Sequence, residues 1–215
     1  MVVLIPQKSI MAWSSAIALG FLCGCGPGIK SQNPKERIRA LEKLTDQAPL
    51  VEIAIKDIDA DVRNAAVAKL TNQASLVRVC IAAGDRDACA HALAKLSDQA
   101  ALTMIAVESG AAYTGRAAVD KVADQPLLAE ISSKAKNSLV REAAVAKLHD
   151  QVVLAKIAVE EPDKKVRMGA LARLTNQAAL AKIAIETDVA WMQMDNHSQF
   201  GEAAVVKLTD QIALA

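Results

Sequence analysis

Apolar residues recur three and four positions apart along most of this chain, which is the spacing of one face of an α-helix. Residues 59–84 are representative, since they contain two such runs separated by a polar turn at 71–73. The first run consists of Val62, Ala66, Val67 and Leu70, and the second of Leu76, Val79 and Cys80. This pattern predicts two short helices, named A and B here, that form a helical hairpin.

The turn between the two helices carries a five-residue motif that occurs seven times. It reads KLTDQ at 43–47, and its glutamines are Gln47, Gln73, Gln99, Gln125, Gln151, Gln177 and Gln211. The spacing is 26 residues five times and then 34. A fixed period of this size predicts a stacked array. We therefore expect an all-α fold, a right-handed α-solenoid of about seven short hairpins.

Each residue of the motif has a structural interpretation. The Asp or Asn before the glutamine is predicted to be the N-cap of helix B. This applies to Asp46, Asn72, Asp98, Asp124, Asp150, Asn176 and Asp210. The preceding Lys or Arg would face the dipole of its own helix A and the cap carboxylate of the next helix, the alternative being a basic surface for an anionic partner. The stacked glutamines would bond to backbone rather than bind ligands.

The repeat resembles a known superfamily. The pattern DxDxxVRxxAVAKL followed by DQxxLAKIA, at Asp59–Ile81 and Val166–Ile185, resembles HEAT-type repeats of the armadillo superfamily, and the short period resembles leucine-rich-repeat variant arrays. The resemblance covers the body of the chain, placed at 35–215, and implies an α-solenoid whose helices B line the concave face. The divergent positions on that face would set specificity. They are Glu52, Arg78, Met104, Glu130, Lys156 and Lys182.

Residues 1–24 differ in character from the repeats. An apolar run from about Ile10 to Leu22 follows Lys8, and it is shorter than the roughly 20 residues that span a bilayer. This favours a signal peptide that is removed. The end of the run, Leu22-Cys23-Gly24-Cys25, resembles a bacterial lipobox, which implies that Cys25 receives a diacylglyceryl group and a further acyl chain such as palmitate.

That resemblance implies a location. More than one acyl chain gives stable membrane anchoring. Gly26 stands where an aspartate would resemble the inner-membrane retention signal, so the outer membrane of a bacterial cell envelope is favoured, on its periplasmic or surface side. Residues 25–34 would form the lipidated cysteine and a short tether.

Charge argues against one class of partner. The formal net charge is +1, and Lys8 is the only charged residue among the first 24, which leaves 24 basic and 24 acidic residues in the remainder. Nucleic-acid-binding proteins usually carry a basic excess. We therefore expect no nucleic-acid partner.

Three departures from the repeat are candidates for function. An eight-residue insertion within 187–199 holds Trp191, Met192 and Met194, residue types favoured at interfaces. The alternative is that Trp191 covers the last repeat. The chain ends five residues beyond Asp210, so the last helix B is short, and the uncovered end could pair with a second copy.

Two cysteines form the third departure. Cys80 and Cys89 flank one loop between helices, and a disulfide would form if their Cα atoms lie within about 7 Å. A zinc site with nearby His91 is disfavoured because a fourth ligand at tight spacing is missing.

The chain contains no motif of a known active site, such as a phosphate-binding glycine loop or a zincin helix. We expect no enzymatic activity, no cofactor and no metal. The predicted function is a membrane-anchored scaffold for protein binding. The alternatives are a carrier of an apolar or lipid ligand and, last, a lyase-type enzyme, since some HEAT-like proteins act on bilins.

Overall fold

A computed structural model of the chain describes residues 27–82, 85–190 and 198–213. Within these residues the regular structure is entirely helical, and thirteen α-helices follow a short 3-10 turn at Pro27–Lys30. They are α1 (Pro34–Glu42), α2 (Gln47–Lys56), α3 (Ala60–Lys69), α4 (Gln73–Ala82), α5 (Arg86–Lys95), α6 (Gln99–Glu108), α7 (Ala112–Lys121), α8 (Gln125–Lys134), α9 (Ser138–Lys147), α10 (Gln151–Glu160), α11 (Lys164–Arg173), α12 (Gln177–Ala190) and α13 (Ser198–Ala213). Odd-numbered helices are helices A and even-numbered helices are helices B.

Side-chain caps fix where the helices B begin. Asp150, for example, accepts hydrogen bonds from the backbone N–H groups of Val152 and Val153. Six of the seven predicted N-caps are confirmed in this way, namely Asp46, Asn72, Asp98, Asp124, Asp150 and Asn176. A cap oxygen satisfies donors that the first helical turn leaves unpaired, and this effect depends only on local sequence.

The prediction for the seventh cap, Asp210, is wrong. Helix α13 runs without a break from Ser198 to Ala213, through the last copy of the motif. Continuing the backbone hydrogen bonds of an existing helix costs less than starting a new one, because each new helix needs its own nucleation.

The hairpins are paired differently from the sequence prediction. The tightest antiparallel pairs join each helix B to the following helix A, as α2 with α3 and α8 with α9. Helices A and B of one motif, such as α3 and α4, meet only near the turn that joins them. Successive helices A stack on one another, and so do successive helices B. The protein is therefore a two-layered α-solenoid whose units stack in sequence order.

The core lies between the two layers and is built from aliphatic side chains. The motif position at the end of most helices A is a buried leucine, as in Leu70, Leu96 and Leu148, and the fourth unit has the buried Val122 there. Alanines such as Ala66 and Ala118 are fully buried where helices cross. Small residues at these positions let the ten-residue helices approach closely, so that many thin layers replace one thick core.

The residues before α1 lie against the first repeat. The guanidinium group of Arg37 donates to the carbonyl oxygens of Ser31 and Gln32 and forms two hydrogen bonds to the carboxylate of Asp57. The turn at Pro27–Lys30 packs on α1, where the Cα of Gly28 comes so close that an added Cβ would lie 3.0 Å from the Cβ of Ala40. The chain from Pro27 onward is thus held on the solenoid.

Candidate interaction surface

The basic residue of the motif binds the backbone of the preceding repeat. The ammonium group of Lys69 donates to the carbonyl oxygens of Leu41 and Glu42 at 2.6 and 2.7 Å. Equivalent bonds to the preceding helix A are made by Lys95, Lys121, Lys147, Arg173 and Lys207. We predicted that these side chains face the end of their own helix and the cap of the next one. This prediction is wrong, because the carbonyl groups to which they donate belong to the preceding helix A. The dipole argument itself holds across the interface between repeats.

The glutamine reaches in the opposite direction, into the following repeat. The Oε1 atom of Gln125 accepts from the N–H of His149 at 2.9 Å, and its Nε2 atom donates to the carbonyl of Lys147 at 3.1 Å. Gln47, Gln99 and Gln151 accept from the equivalent turns. The predicted ladder of side-chain to backbone bonds is confirmed at these four positions. The motif is thus used for stacking at these positions, whereas the Oε1 atom of Gln73 is buried without a hydrogen-bond partner among the described residues.

A second ladder follows the opposite edge of the solenoid. Arg63 donates to the carboxylate of Asp85 at 2.7 Å and to the carbonyl of Asp57 at 2.8 Å. Arg141 donates to one oxygen of Glu161, whose side chain is only 7% exposed, at 2.8 and 3.0 Å. Each arginine therefore joins the loop before its own helix to the loop of the next repeat.

The arginine ladder is interrupted in the middle of the array. Cys89 and Gly115 occupy the positions equivalent to Arg63 and Arg141 in the third and fourth units. Ser109 occupies the position of the partner carboxylate in the third unit, so acid and arginine are lost together. A partly buried carboxylate without its partner would be unfavourable, which explains the paired change.

The six predicted specificity positions form a row across the exposed face of the helix-B layer. They occupy equivalent places on α2, α4, α6, α8, α10 and α12. Much of the row is paired internally. Glu52 binds Lys56 at 2.6 Å and Arg78 at 3.4 Å, and the resulting hydrogen bond from Lys56 lowers the pKa of Glu52. Met104 differs from the other five residues of the row because its side chain is apolar, and it is 55% exposed.

A cleft lies between α8 and α10 on this face. It encloses about 400 Å³ and is lined by Ala129, Ser132, Ser133, Val152, Val153, Lys156, Ile157, Glu160, Glu161 and Pro162. Val152 is 79% exposed at its edge. Most of the wall residues are apolar. Lys156 and Glu160 lie at the rim, with Nζ of Lys156 3.8 Å from Oε2 of Glu160.

One small residue of α8 distinguishes the wall of this cleft from the other repeats. Ser133 takes the place that Ile55 and Ile81 occupy in the first and second units. Ala129 takes that of the buried Val51, but this position is also alanine in α10 and α12. The smaller side chain at 133 leaves space between α8 and α10. Ser133 was not among the predicted site residues, although an alignment of the chain with itself at 26 residues would have shown it.

Two further openings flank the cleft. One, of about 270 Å³, lies between α6 and α8 and includes Met104 and Glu130. The other, of about 400 Å³, lies between α10 and α12 and includes Lys156 and Lys182. The structure thus places four of the six predicted positions at openings between successive helices B.

Cys80 and Cys89 lie together in the core of the α4 and α5 hairpin. Both are free thiols in the structure, and the Cys80 thiol donates to the carbonyl oxygen of Cys89 at 3.6 Å. His91 hydrogen-bonds to the carbonyl of Asp87 on its own helix. Among the described residues no group of three or more His, Cys, Asp or Glu side chains could hold a metal ion.

Several predicted residues lie outside the described part of the chain. These are Cys25 in the lipobox and Trp191, Met192 and Met194 in the insertion. The first part of the insertion prolongs α12 to fourteen residues, ending at Ala190. At the C-terminal end, the side chains of Val205 and Val206 on α13 are 47% and 56% exposed.

None of the helices described in the structure combines the length and the apolar character that a membrane crossing requires. Comparison with known proteins gives no relative, since no protein family, no curated protein and no solved structure matches this sequence.

Proposed function

We propose that this chain is a HEAT-like lipoprotein of a bacterial envelope that binds a protein partner on its helix-B face. The observation that carries the proposal is the cleft between α8 and α10. It is an apolar concavity on a face that also carries charged residues, and one residue of its wall, Ser133, departs from the branched aliphatic residues of the other repeats.

The dimensions of the cleft suit an anchoring side chain of a partner. Protein interfaces are dominated by a few bulky side chains that fill desolvated pockets, surrounded by a polar rim. A cavity of about 400 Å³ with walls from Val152, Val153 and Ile157 accepts a large aliphatic or aromatic side chain. Lys156 and Glu160 at the rim can pair with charged groups on either side of that anchor.

The ladders along both edges support this assignment. Side chains that bind neighbouring backbone groups hold each unit in register, so the helix-B face is a rigid array. Rigid surfaces lose little conformational entropy on binding, and this favours a role in recognition.

Membrane attachment is the second part of the proposal. It is supported by the apolar run and lipobox-like residues that end at Cys25, and only Gly26 separates that cysteine in sequence from the docked turn at Pro27. The first repeat would then lie close to the bilayer. Labelling cells with an alkyne analogue of palmitate tests this step. The full chain should carry the label and sediment with membranes, and Cys25→Ser should lose both; labelling that survives this substitution would contradict the assignment.

The binding surface is tested by filling the cleft. Ser133→Ile restores the side chain found at Ile55 and Ile81, so the variant should fold, while Ser133→Ala keeps the cleft open as the matched control. Both variants and the parent chain are expressed with an affinity tag, crosslinked in membranes, solubilised and purified. A partner captured by the parent and by Ser133→Ala, but reduced at least about tenfold with Ser133→Ile, is the expected result. Equal capture by all three, or no stoichiometric partner, would refute the assignment.

A carrier of an apolar ligand is the second candidate, because the same exposed Val152 and apolar walls could hold an acyl chain. Organic extraction of the purified chain followed by mass spectrometry separates the two. A lipid recovered in stoichiometric amount from the parent but not from Ser133→Ile would favour the carrier.

A further inference from the structure

The buried thiol pair in the α4 and α5 hairpin is not used by the proposed binding surface. Cys80 is 2% exposed and Cys89 is fully buried. The hydrogen bond between the two thiols raises the pKa of Cys80, and burial adds to this effect. The same bond, together with one from Thr114, lowers the pKa of Cys89. The geometry places the two cysteines next to each other, since Sγ of Cys80 lies 3.6 Å from the carbonyl oxygen of Cys89.

Neither position requires a cysteine for packing. Other repeats place alanine where Cys80 stands, as in Ala54 and Ala106, and both of these are fully buried. Arginine stands at the position of Cys89 in the preceding unit, as Arg63. The third unit has thus replaced the arginine with a buried cysteine whose backbone carbonyl contacts the Cys80 thiol across the hairpin.

This joint also lacks other connections found elsewhere in the array. The Oε1 atom of Gln73 is buried without a hydrogen-bond partner among the described residues, whereas Gln47 and Gln125 bind the following turn. The position of Cys89 contributes no arginine to the second ladder. Both ladders are therefore incomplete around the helices that carry the two thiols.

We propose that Cys80 and Cys89 form an intramolecular disulfide that links α4 to α5 at the joint where both ladders are incomplete. The oxidant is a small disulfide such as oxidised glutathione. The thiolate of Cys89 attacks one sulfur atom of glutathione disulfide and releases one glutathione thiolate, which takes up a proton. The sulfur of Cys80 then loses its proton, attacks the mixed disulfide at Cys89 and releases the second glutathione. Two protein thiols are oxidised by two electrons, and one glutathione disulfide is reduced to two thiols.

The occurrence of this bond in the cell rests on the proposed export of the chain, because the envelope permits oxidation. The thiol–disulfide exchange itself does not depend on export, so it can be tested on the purified full chain. Since the thiols are buried, the oxidant is added in two arms, to the folded protein and during refolding from denaturant.

Peptide mapping gives a direct readout because trypsin separates the two cysteines. Cleavage after Arg78, Arg86 and Lys95 places Cys80 in peptide 79–86 and Cys89 in peptide 87–95. We expect these two peptides to be linked in at least one arm and to separate on reduction. The linked protein should unfold about 5 °C higher than the reduced protein, because the bond closes a short loop in the unfolded chain. Cys80→Ala, the residue found in other repeats, should remove both the linked peptide and this redox-dependent shift.

The alternatives are equally visible. If both thiols stay open to alkylation in the two arms, or carry only glutathione adducts, or link two chains, the proposal is overturned. None of these outcomes depends on whether a partner binds the cleft or on whether Cys25 is acylated.

Discussion

The strongest test of the stacking argument is the substitution Lys147→Met. Methionine keeps the length and the apolar stem of the side chain and removes the ammonium group. In the structure that group donates to three carbonyl oxygens at the end of α7, those of Val119, Asp120 and Val122, at 2.9, 2.8 and 2.6 Å. Carbonyl groups at a helix end lack the usual intrahelical partners, although that of Val119 also accepts from the backbone N–H of Val122.

The magnitude follows from those three bonds. Each hydrogen bond contributes about 1 kcal/mol net, and somewhat more when the donor is charged. Lys147 is half-buried and the carbonyls lie near the surface, so water recovers part of the loss. We expect the free energy of unfolding to fall by about 2 kcal/mol, which shifts a urea midpoint by about 1 M.

The chain supplies its own control. Lys43 occupies the same motif position in the first unit, where no repeat precedes it, and its ammonium group has no acceptor among the described residues. Lys43→Met should therefore change the free energy of unfolding by less than about 0.5 kcal/mol. Urea unfolding followed by circular dichroism measures both variants. Equal losses for Lys43→Met and Lys147→Met would show that the ladder does not hold the repeats together.

Two further outcomes follow from local geometry. Gly115→Ala should destabilise the protein by about 1 to 3 kcal/mol in thermal unfolding, because the added Cβ would lie 2.5 Å from Cγ2 of Val140 on the packed neighbour. Gly169→Ala, also within a helix, should be neutral or stabilising by up to about 1 kcal/mol, since its nearest neighbour would be 3.8 Å away; a similar effect of both substitutions would contradict this account. Burial tends to raise the pKa of Asp85, but the hydrogen bonds from Arg63 and from backbone outweigh it and lower the pKa below its ordinary 3.8. Asp85 therefore stabilises the fold at pH values above its unfolded pKa, and this stabilisation is lost as the pH falls through its folded pKa. Asp85→Asn should lower the free energy of unfolding by about 1 kcal/mol near pH 7 and by less below about pH 4, as measured by urea titration. A loss that grows on acidification would contradict this sign.

The candidate surface was only partly predictable from sequence. Periodicity placed Glu52, Met104 and Lys156 on one face of successive helices B, and the structure puts them in one row. The cleft was not anticipated, because its cause is an absence of volume at Ser133 that matters only when α10 packs beside α8. A small residue in place of a large one is visible only by comparison with the other repeats.

Sequence by itself determined the repeat length, the helical state and the start of nearly every helix B. Those features depend on hydrophobic period and on caps such as Asp150, whose side chain reaches only two or three residues along the chain. Tertiary structure alone decided which helices pair, and it decided that Lys147 binds the preceding repeat while Gln125 binds the following one. Those partners lie 22 to 28 residues away in sequence, so they meet only because the units stack. Asp210 carries the same local cap signal, yet α13 continues through it, so this signal alone does not start a helix.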